Sequence, residues 1–330
     1  MRVAFLNPAD ATDAFFGTMV AFMERAADGL KIELEVVESG RSPAKLREQA
    51  RALVARPSPP EYLLLTNEEG LAVEVLPRAD ARGIKTLLLN EGLMVPDRQV
   101  LGNPGERYAS WLGELVPDDR AAGYLLAKSL ISAARGGGNA AVTMAALGGS
   151  FTSSSLLRIN GLRQAVAESE GVALREVVAA NWEIDRARDE TAKLLQRHPD
   201  LRVIWSASDH MAIGAVDALS AAGKVAGTDV FVGGIDWAPF VFEKLRRGVF
   251  TASVGGHFLD GAWALVLLHD HHHRPGPPSQ VKSQLALATR DNADRFERVL
   301  TRRPVIDFRK FSKVENPSVE KYNFTVDAVL

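Results

Sequence analysis

The chain of 330 residues contains no cysteine, and this absence removes several kinds of chemistry at once. Without thiols there is no disulfide, no thiolate metal site and no cysteine nucleophile. No apolar run reaches the roughly 18 residues that a membrane-spanning helix needs. The formal net charge of −2 gives no excess of positive charge for nucleic acid or an anionic membrane. The sequence therefore predicts a globular protein without a nucleic-acid partner.

The common signatures of nucleotide binding and of hydrolysis are also missing. No Walker motif occurs, and the glycines at 136–138 lack the Gly-x-Gly-x-x-Gly spacing of a dinucleotide-binding loop. The serines at 153–155 do not lie in a Gly-x-Ser-x-Gly nucleophile elbow. His210 and His257 could act as general acids or bases in principle, but His210 follows a helix cap and would only border a site. We therefore predict no enzyme activity and no cofactor.

What the chain does contain is an alternation of short apolar strands and amphipathic helices. The first elements are strands at 2–6, 31–37 and 62–65 and helices at 15–30 and 70–82. Buried strands that alternate with helices are typical of parallel sheets. Residues 92–117 are irregular and contain several Pro and Gly residues, so we expect the chain to cross between two domains there. The tail after about residue 290 is charged and predicted to be irregular.

Two strand ends in the second half of the chain carry the most informative polar residues. The segment 203–206 is followed by Ser208 and Asp209, and the segment 229–233 leads to Asp236. In open α/β sheets, ligands bind at the carboxyl ends of the strands. We therefore expect Ser208 and Asp236 to face a ligand, and we interpret Asp209 as the N-cap of the helix that follows.

Several short segments in a fixed order resemble those of a known family. They are DAFF at 13–16, RINGLRQA at 158–165, Asn181 with Trp182, HPD at 198–200, WSASDHMAIGA at 205–215 and VGGID at 232–236. In this order and spacing, the chain resembles the type I periplasmic solute-binding proteins. That group includes the ribose- and galactose-binding proteins and the effector domains of LacI-type repressors. The resemblance covers residues 1–270.

The resemblance implies an α/β fold of two Rossmann-like lobes with parallel sheets, joined by a multi-strand hinge. We place the N-terminal lobe at residues 1–103 plus 256–285 and the C-terminal lobe at 104–255. A C-terminal extension at 286–330 is expected to pack on the lobes. The family captures one small molecule in the cleft between the lobes, which close around it by movement at the hinge.

The resemblance also implies a partner and a location. We expect delivery of the captured solute to the membrane permease of an ABC transporter. A sensor that presents its ligand to a membrane receptor or histidine kinase is a second possibility, and a cytosolic effector domain is a third. No helix-turn-helix precedes the first strand, which argues against a complete repressor. We expect a monomeric periplasmic protein whose leader peptide has been removed.

Some positions keep the ligand-binding residue types of the family. Asp13 stands where the family has asparagine, and Phe15 and Phe16 match aromatic residues that flank a sugar. Core packing of that helix face is the alternative for the two rings. Trp182 matches an aromatic residue of the second lobe, and Asp236 keeps a ligand-binding carboxylate.

Other positions depart from the sugar binders. Asn90 and Glu91 replace an Asp-Arg pair, Ser208 replaces an asparagine, Leu156 stands where an arginine clamps the sugar, and Gly256 replaces a glutamine. Buried sugar hydroxyls left without these partners would cost roughly 1–3 kcal/mol each. We therefore expect a ligand other than a simple monosaccharide, larger or more apolar and of a lipid- or sterol-like kind. A sugar is the alternative.

Four further residues are candidates through their position alone. His257 lies next to the glutamine position, and Trp237 follows Asp236 where a small residue is common. Trp111 and Glu114 lie in the crossover region, adjacent to the expected cleft. Hinge packing for Trp111 and an ordinary surface position for Glu114 are the alternatives.

The histidine-rich segment 269–273 raises the question of a metal site, because imidazole is the commonest metal ligand. Helical spacing would place His269 and His273 on one face. The segment also lies near a helix end, where the helix dipole favours histidine. We favour the helix-end interpretation and predict no metal site.

Overall fold

The chain divides into two units in a computed structural model that describes residues 1–276 and 279–330. Unit 1 consists of Met1–Pro117, His257–Gln284 and Thr301–Val329. Unit 2 consists of Asp118–Gly256, Leu285–Leu300 and Leu330. Each unit contains one six-stranded sheet together with its helices. The predicted α/β fold with mostly parallel sheets is confirmed.

The elements alternate along the chain as the hydrophobic pattern predicts. The strands are β1 (Arg2–Asn7), β2 (Glu33–Glu38), β3 (Tyr62–Leu65), β4 (Lys85–Leu89), β5 (Trp111–Pro117), β6 (Val142–Gly148), β7 (Val172–Ala179), β8 (Val203–Ser206), β9 (Phe231–Asp236), β10 (Ala252–Gly255), β11 (Ser279–Ser283) and β12 (Ala286–Thr289). The helices are α1 (Phe16–Leu30), α2 (Pro43–Ala55), α3 (Leu71–Ala81), α4 (Val95–Leu101), α5 (Asp119–Arg135), α6 (Ser153–Ala167), α7 (Ile184–Arg197), α8 (Asp209–Ala221), α9 (Val241–Arg246), α10 (Asp260–His273) and α11 (Ala293–Arg302).

The two sheets share one topology. Unit 1 has the strand order β11-β5-β4-β3-β1-β2, and all its pairings are parallel. Unit 2 has the order β12-β10-β9-β8-β6-β7, in which only the β12–β10 pairing at the edge is antiparallel. Parallel strands end on the same edge of a sheet, so the residues that follow β1, β3 and β4 lie along one edge of unit 1. Those that follow β6, β7, β8 and β9 lie along one edge of unit 2.

Short polar side chains fix the start of several helices. Asp118 caps α5 by accepting from the backbone N–H of Ala121, at 3.2 Å. Ser208 caps α8, since its backbone is extended and its Oγ accepts from the N–H of Met211 at 3.3 Å. Asp209 is instead the first residue of α8, so our assignment of Asp209 as the cap was wrong by one position.

Residues 92–117, predicted to be an irregular crossover, contain a helix and a strand of unit 1. Pro96 lies in the first turn of α4, where its missing N–H would have no helical partner. Gly102 ends that helix with a φ of 75°. β5 then pairs with β4, and unit 2 begins at Asp118 instead of residue 104. The Pro and Gly residues delimit a helix and do not interrupt the fold.

The C-terminal extension expected at 286–330 is divided between the two units. β12 pairs with β10 in unit 2, and α11 follows it there. Thr301–Val329 belongs to unit 1. The segment therefore completes both units. After residue 290, where the sequence predicted irregular structure, it forms one helix and several short 3-10 turns.

The last residues of unit 1 are held against α10 by buried polar and aromatic contacts. Asp270 accepts hydrogen bonds from the Ser312 hydroxyl, from the Tyr322 hydroxyl at 3.0 Å and from the backbone N–H of residue 313 at 2.7 Å. Phe324 stacks on the indole of Trp263 with ring centroids 5.3 Å apart. Buried hydrogen bonds to a carboxylate are strong, so this end of the chain is part of the fold of unit 1.

One part of the core of unit 1 lies between its sheet and the helices α2 and α3. A buried hydrophobic cluster joins β1, β3 and β4 to α2 and α3 and includes Trp111. In the part of the chain that the structure describes, no helix is both long and apolar enough to cross a membrane.

Candidate functional site

The loop after β1 in unit 1 holds two aromatic rings in fixed positions. Asp13 Oδ1 accepts from the backbone N–H groups of Phe15 and Phe16, at 3.0 and 2.8 Å, and Oδ2 accepts from Arg41 at 2.7 Å. The Phe15 ring lies 5.1 Å from that of Phe16, edge to face, and 4.6 Å from the His257 ring. Asp13 therefore orders the start of α1, and the rings of Phe15, Phe16 and His257 form one aromatic cluster.

The end of β4 presents a polar atom that the fold leaves unused. Asn90 has a φ of 66°, and it is the central residue of a tight turn closed by the N–H of Glu91 and the carbonyl of Leu89, 2.7 Å apart. Its Oδ1 is buried and has no hydrogen-bond partner among the residues that the structure describes. Glu91 is 4% exposed. A buried acceptor of this kind costs stability unless a ligand or water donates to it.

Trp111 and Glu114, the two candidates from the crossover region, have their own partners in unit 1. Trp111 is fully buried, and its Nε1 donates to the carbonyl of Gly113 at 3.1 Å. Both carboxylate oxygens of Glu114 accept from Arg98 at 2.8 Å. The indole is a core residue and the carboxylate is bound in an ion pair, so the structure gives neither side chain a feature that points to a ligand.

In unit 2, Arg158 of α6 brings together two of the predicted ligand residues. Its Nη1 donates to Asp236 Oδ1 at 3.1 Å, and its guanidinium carbon lies 5.8 Å from the centroid of the Trp182 ring. Its Nε donates to Asp119 Oδ1 at 2.7 Å. The indole N–H of Trp182 donates to the Ser150 hydroxyl at 2.8 Å. The buried guanidinium of Arg158 therefore contacts both the Asp236 carboxylate and the Trp182 ring.

Asp209, which directly follows Ser208, is a buried acid beside this group. Its oxygens accept from the Ser253 hydroxyl at 2.8 Å and from the backbone N–H of Ala238 at 3.1 Å. Burial and then the charge of Asp236 raise the pKa of Asp209 well above its usual value of 3.8. Its side chain supports the ends of β9 and β10, while Ser208 beside it is 3% exposed.

Trp237 and Leu156 take positions unlike those of a ligand contact. Trp237 is 1% exposed, donates from Nε1 to the carbonyl of Ser253 at 3.0 Å, and packs on Phe296 at 4.5 Å. Its ring belongs to the core of unit 2. Leu156, at the position of a family arginine, is 37% exposed in the first turns of α6.

Strained backbone occurs at four of the predicted ligand positions. Non-glycine residues rarely adopt a positive φ, yet it is found at 66°, 67°, 128° and 59° in Asn90, Trp182, Asp236 and Trp237. Each lies where a strand ends or just after it. Such strain persists where the surrounding structure imposes it, and it is concentrated at ligand sites.

The histidines at 269–273 are occupied by contacts within unit 1. His273 Nδ1 lies 2.9 Å from the carbonyl of His269, and the Tyr62 hydroxyl lies 3.3 Å from His271 Nδ1 and 3.4 Å from His272 Nδ1. Within residues 1–276 and 279–330, no three His, Cys, Asp or Glu side chains are arranged to hold a metal ion.

Sequence reasoning missed Arg158 as a site residue, although its segment was part of the resemblance. The partners Asp119 and Asp236 lie 39 and 78 residues away, so no local pattern connects the three. The only local signal was an arginine on a predicted helix whose first turn follows a strand end.

Comparison with known proteins identifies the family. A family model described as "Periplasmic binding protein domain" matches residues 3–271. The ribose import binding protein of Escherichia coli is 28% identical over 241 residues, 73% of this chain and 74% of that protein. The D-allose-binding periplasmic protein of E. coli is 33% identical over 114 residues, 34% of this chain and 36% of that protein.

One solved structure is similar to this chain over nearly its whole length. The crystal structure of a periplasmic sugar-binding protein from Pseudomonas fluorescens superposes with a TM-score of 0.88 at 31% identity, covering 99% of both chains. The prediction of a solute-binding protein without enzyme activity is confirmed. The chain belongs to the periplasmic binding protein family.

Proposed function

We propose that this protein is the solute-binding component of a sugar ABC transporter, and that its ligand is a small neutral sugar or sugar alcohol. The observation that carries the proposal is a cluster of three side chains near the strand ends of unit 2. In this cluster, Arg158 contacts the Asp236 carboxylate and the Trp182 ring. A carboxylate accepts hydrogen bonds from sugar hydroxyls, and an indole face packs on the C–H face of a sugar ring.

Relatives that match the chain support a sugar over the apolar ligand expected from the sequence. Their names specify ribose and D-allose, and the similar solved structure is that of a sugar-binding protein. The expectation of a lipid- or sterol-like ligand rested on the departures at 90–91, 156, 208 and 256, and the relatives contradict it. Arg158 supplies a buried cation two residues beyond Leu156, which answers one of those departures.

We propose sugar-contacting residues in each unit. In unit 1 they are the aromatic cluster of Phe15, Phe16 and His257, together with Asn90 and Glu91. From unit 2 we propose Trp182, Ser208 and Asp236. The unpartnered Oδ1 of Asn90 supports its inclusion, because a sugar hydroxyl would satisfy it. Trp111 and Trp237 are not included because their rings are core residues, and Glu114 is not included because both its oxygens accept from Arg98.

We also propose the partner and the location that the family implies. The partner is the membrane permease of an ABC transporter, and the protein acts as a monomer in the periplasm. The name of the E. coli relative, a ribose import binding protein, supports transport over a purely sensory role.

Calorimetric titration with a panel of sugars tests the proposal. The panel holds D-ribose, D-allose, xylitol and myo-inositol, with a fatty acid and cholesterol hemisuccinate as apolar comparisons. We expect at least one sugar or polyol to bind with micromolar affinity or better. Binding only by the apolar compounds, or by none of the panel, would contradict the proposal.

A matched pair of Asp→Asn variants in unit 2 tests the site. Asp236→Asn should weaken binding of the best sugar by about 10- to 100-fold, since a hydrogen bond to a charged group contributes about 1.5–3 kcal/mol. Asp200→Asn removes an exposed carboxylate that contacts Thr143 and Arg175, and it should leave affinity unchanged. Equal affinity of the two variants would remove Asp236 from the site.

A further inference from the structure

One arginine of unit 2 contacts the backbone and side chains around three strand or helix ends. Arg158 donates to Asp119 in the first turn of α5, to the carbonyl of Ala207 after β8 at 2.7 Å, and to Asp236 at the end of β9. It also faces the Trp182 ring after β7. The side chain is 4% exposed, so these contacts are made out of solvent.

We infer that Arg158 is the positioning residue of the sugar site: it holds the Asp236 carboxylate in the orientation that accepts sugar hydroxyls and supports the Trp182 ring beside it. The inference rests on the proposed function and adds to it. The resemblance assigns the family's sugar-clamping cation to the position of Leu156, two residues before Arg158.

The helix packing around Arg158 leaves its backbone little freedom. α5 and α6 approach so closely that an added Cβ at Gly123 would overlap the carbonyl of Arg158, and one at Gly161 would overlap the carbonyl of Arg120. This approach places Asp119 beside the guanidinium, where it is 3% exposed. Asp119 fixes one edge of the guanidinium, so the other edge meets Asp236 in a defined orientation.

Electrostatics give Arg158 a second effect on Asp236. Burial acts to lower the pKa of Arg158, but the charges of Asp119 and Asp236 raise it above its usual value, so the guanidinium stays charged. The acids that face this region of unit 2 are Asp119 from α5, Asp209 from α8 and Asp236 from β9. The charged guanidinium therefore offsets the repulsion between the carboxylates that it contacts.

Three variants of Arg158 test the inference against a merely structural role. They are Arg158→Lys, Arg158→Gln, and Arg158→Gln combined with Asp119→Asn, which avoids leaving Asp119 buried without its cation. Sugar affinity is measured by calorimetry with the best ligand of the panel, and folding is checked by circular dichroism. Arg197→Gln is the control, because it removes an exposed arginine that pairs with Glu176 in the same unit.

Rescue by the conservative variant separates positioning from stability. We expect Arg158→Gln, alone and in the double variant, to weaken binding by roughly 10- to 100-fold while the protein stays folded. Arg158→Lys should recover part of the loss, and Arg197→Gln should match the wild type. Folded Arg158 variants that bind with wild-type affinity would overturn the inference alone. A wild type that binds no sugar would overturn the proposed function as well.

Discussion

The two units bring their main helix pairs together in different ways. In unit 2, α5 and α6 meet backbone to backbone, and an added Cβ at Gly161 would overlap the carbonyl oxygen of Arg120. In unit 1, α1 and α10 meet through flexible side chains, and an added Cβ at Gly261 would overlap the Cγ atoms of Met19 and Met23. Methionine side chains adjust to a new neighbour, whereas backbone atoms cannot move without moving the helix.

The two helix pairs lie near different kinds of side chain, and these tolerate movement to different degrees. The α5–α6 pair fixes Arg158 and Asp119, and the hydrogen bonds of a guanidinium depend strongly on distance and angle. The α1–α10 pair lies beside the ring contact of Phe15 with His257, and ring packing tolerates small shifts. Unit 2 therefore needs close packing of α5 and α6 to hold its charged groups in place, whereas unit 1 tolerates small shifts of α1 and α10 near its aromatic rings.

The largest effect is expected from Gly161→Ala in unit 2. The new methyl group has only backbone atoms as its nearest neighbours, so α5 and α6 must separate. We expect the free energy of unfolding to fall by about 3 kcal/mol, the upper part of the range for overpacked sites. Sugar affinity should fall with it, because Arg158 moves away from Asp236. Urea denaturation and calorimetry measure the two effects.

A smaller effect is expected from the matched change in unit 1, Gly261→Ala. Met19 and Met23 can rotate away from the new methyl group, so the free energy of unfolding should fall by about 1 kcal/mol. Sugar affinity should change little. If Gly261→Ala loses as much free energy of unfolding as Gly161→Ala in the same urea titration, the α1–α10 packing is no more adaptable than the α5–α6 packing.

The smallest effect concerns pH, to which the units should respond in opposite directions. In unit 1, burial lowers the pKa of His271 and His272 below the usual 6.5. The unfolded chain then binds more protons than the folded chain, so this contribution to stability is lost as the pH falls below about 6.5. In unit 2, burial and Asp236 raise the pKa of Asp209 above 3.8, so its contribution is lost as the pH rises through the raised value.

Two variants separate these contributions. His271→Gln with His272→Gln should flatten the loss of stability as the pH falls below about 6.5, and Asp209→Asn should flatten the loss of stability that develops as the pH rises above about 4. Thermal unfolding between pH 4 and 9 measures both. If stability falls at acidic pH as much in the histidine double variant as in the wild type, groups other than His271 and His272 cause that fall.

Most of the fold could be predicted from the sequence, because the alternation of strands and helices is a local pattern. The Ser42-Pro43 start of α2 is an example, since Ser42 accepts from the N–H of Lys45. Residues 92–117 were misread because proline and glycine occur both in loops and at helix ends. Pro96 and Gly102 mark the two ends of α4.

The candidate site was harder to predict, because its contacts join distant parts of the chain. Trp237 was a candidate ligand residue because it follows Asp236, but its ring packs on Phe296, 59 residues later. Arg158 was noted only as the first residue of the segment 158–165, yet it is buried and donates to acids from α5 and β9. Local patterns located the strand ends, while the identity of each side chain's partner depended on the tertiary fold.

The contacts at the end of the chain bear on the order in which the protein can fold during synthesis. Unit 1 contains the first residues of the chain and also Phe324, which stacks on Trp263, and Tyr322, which donates to Asp270. These contacts cannot form until almost all of the chain has left the ribosome. Five strands of unit 2 lie in one continuous stretch, Asp118–Gly256, and can assemble earlier. Unit 1, whose first strands are synthesised before those of unit 2, therefore completes its folding after the continuous part of unit 2.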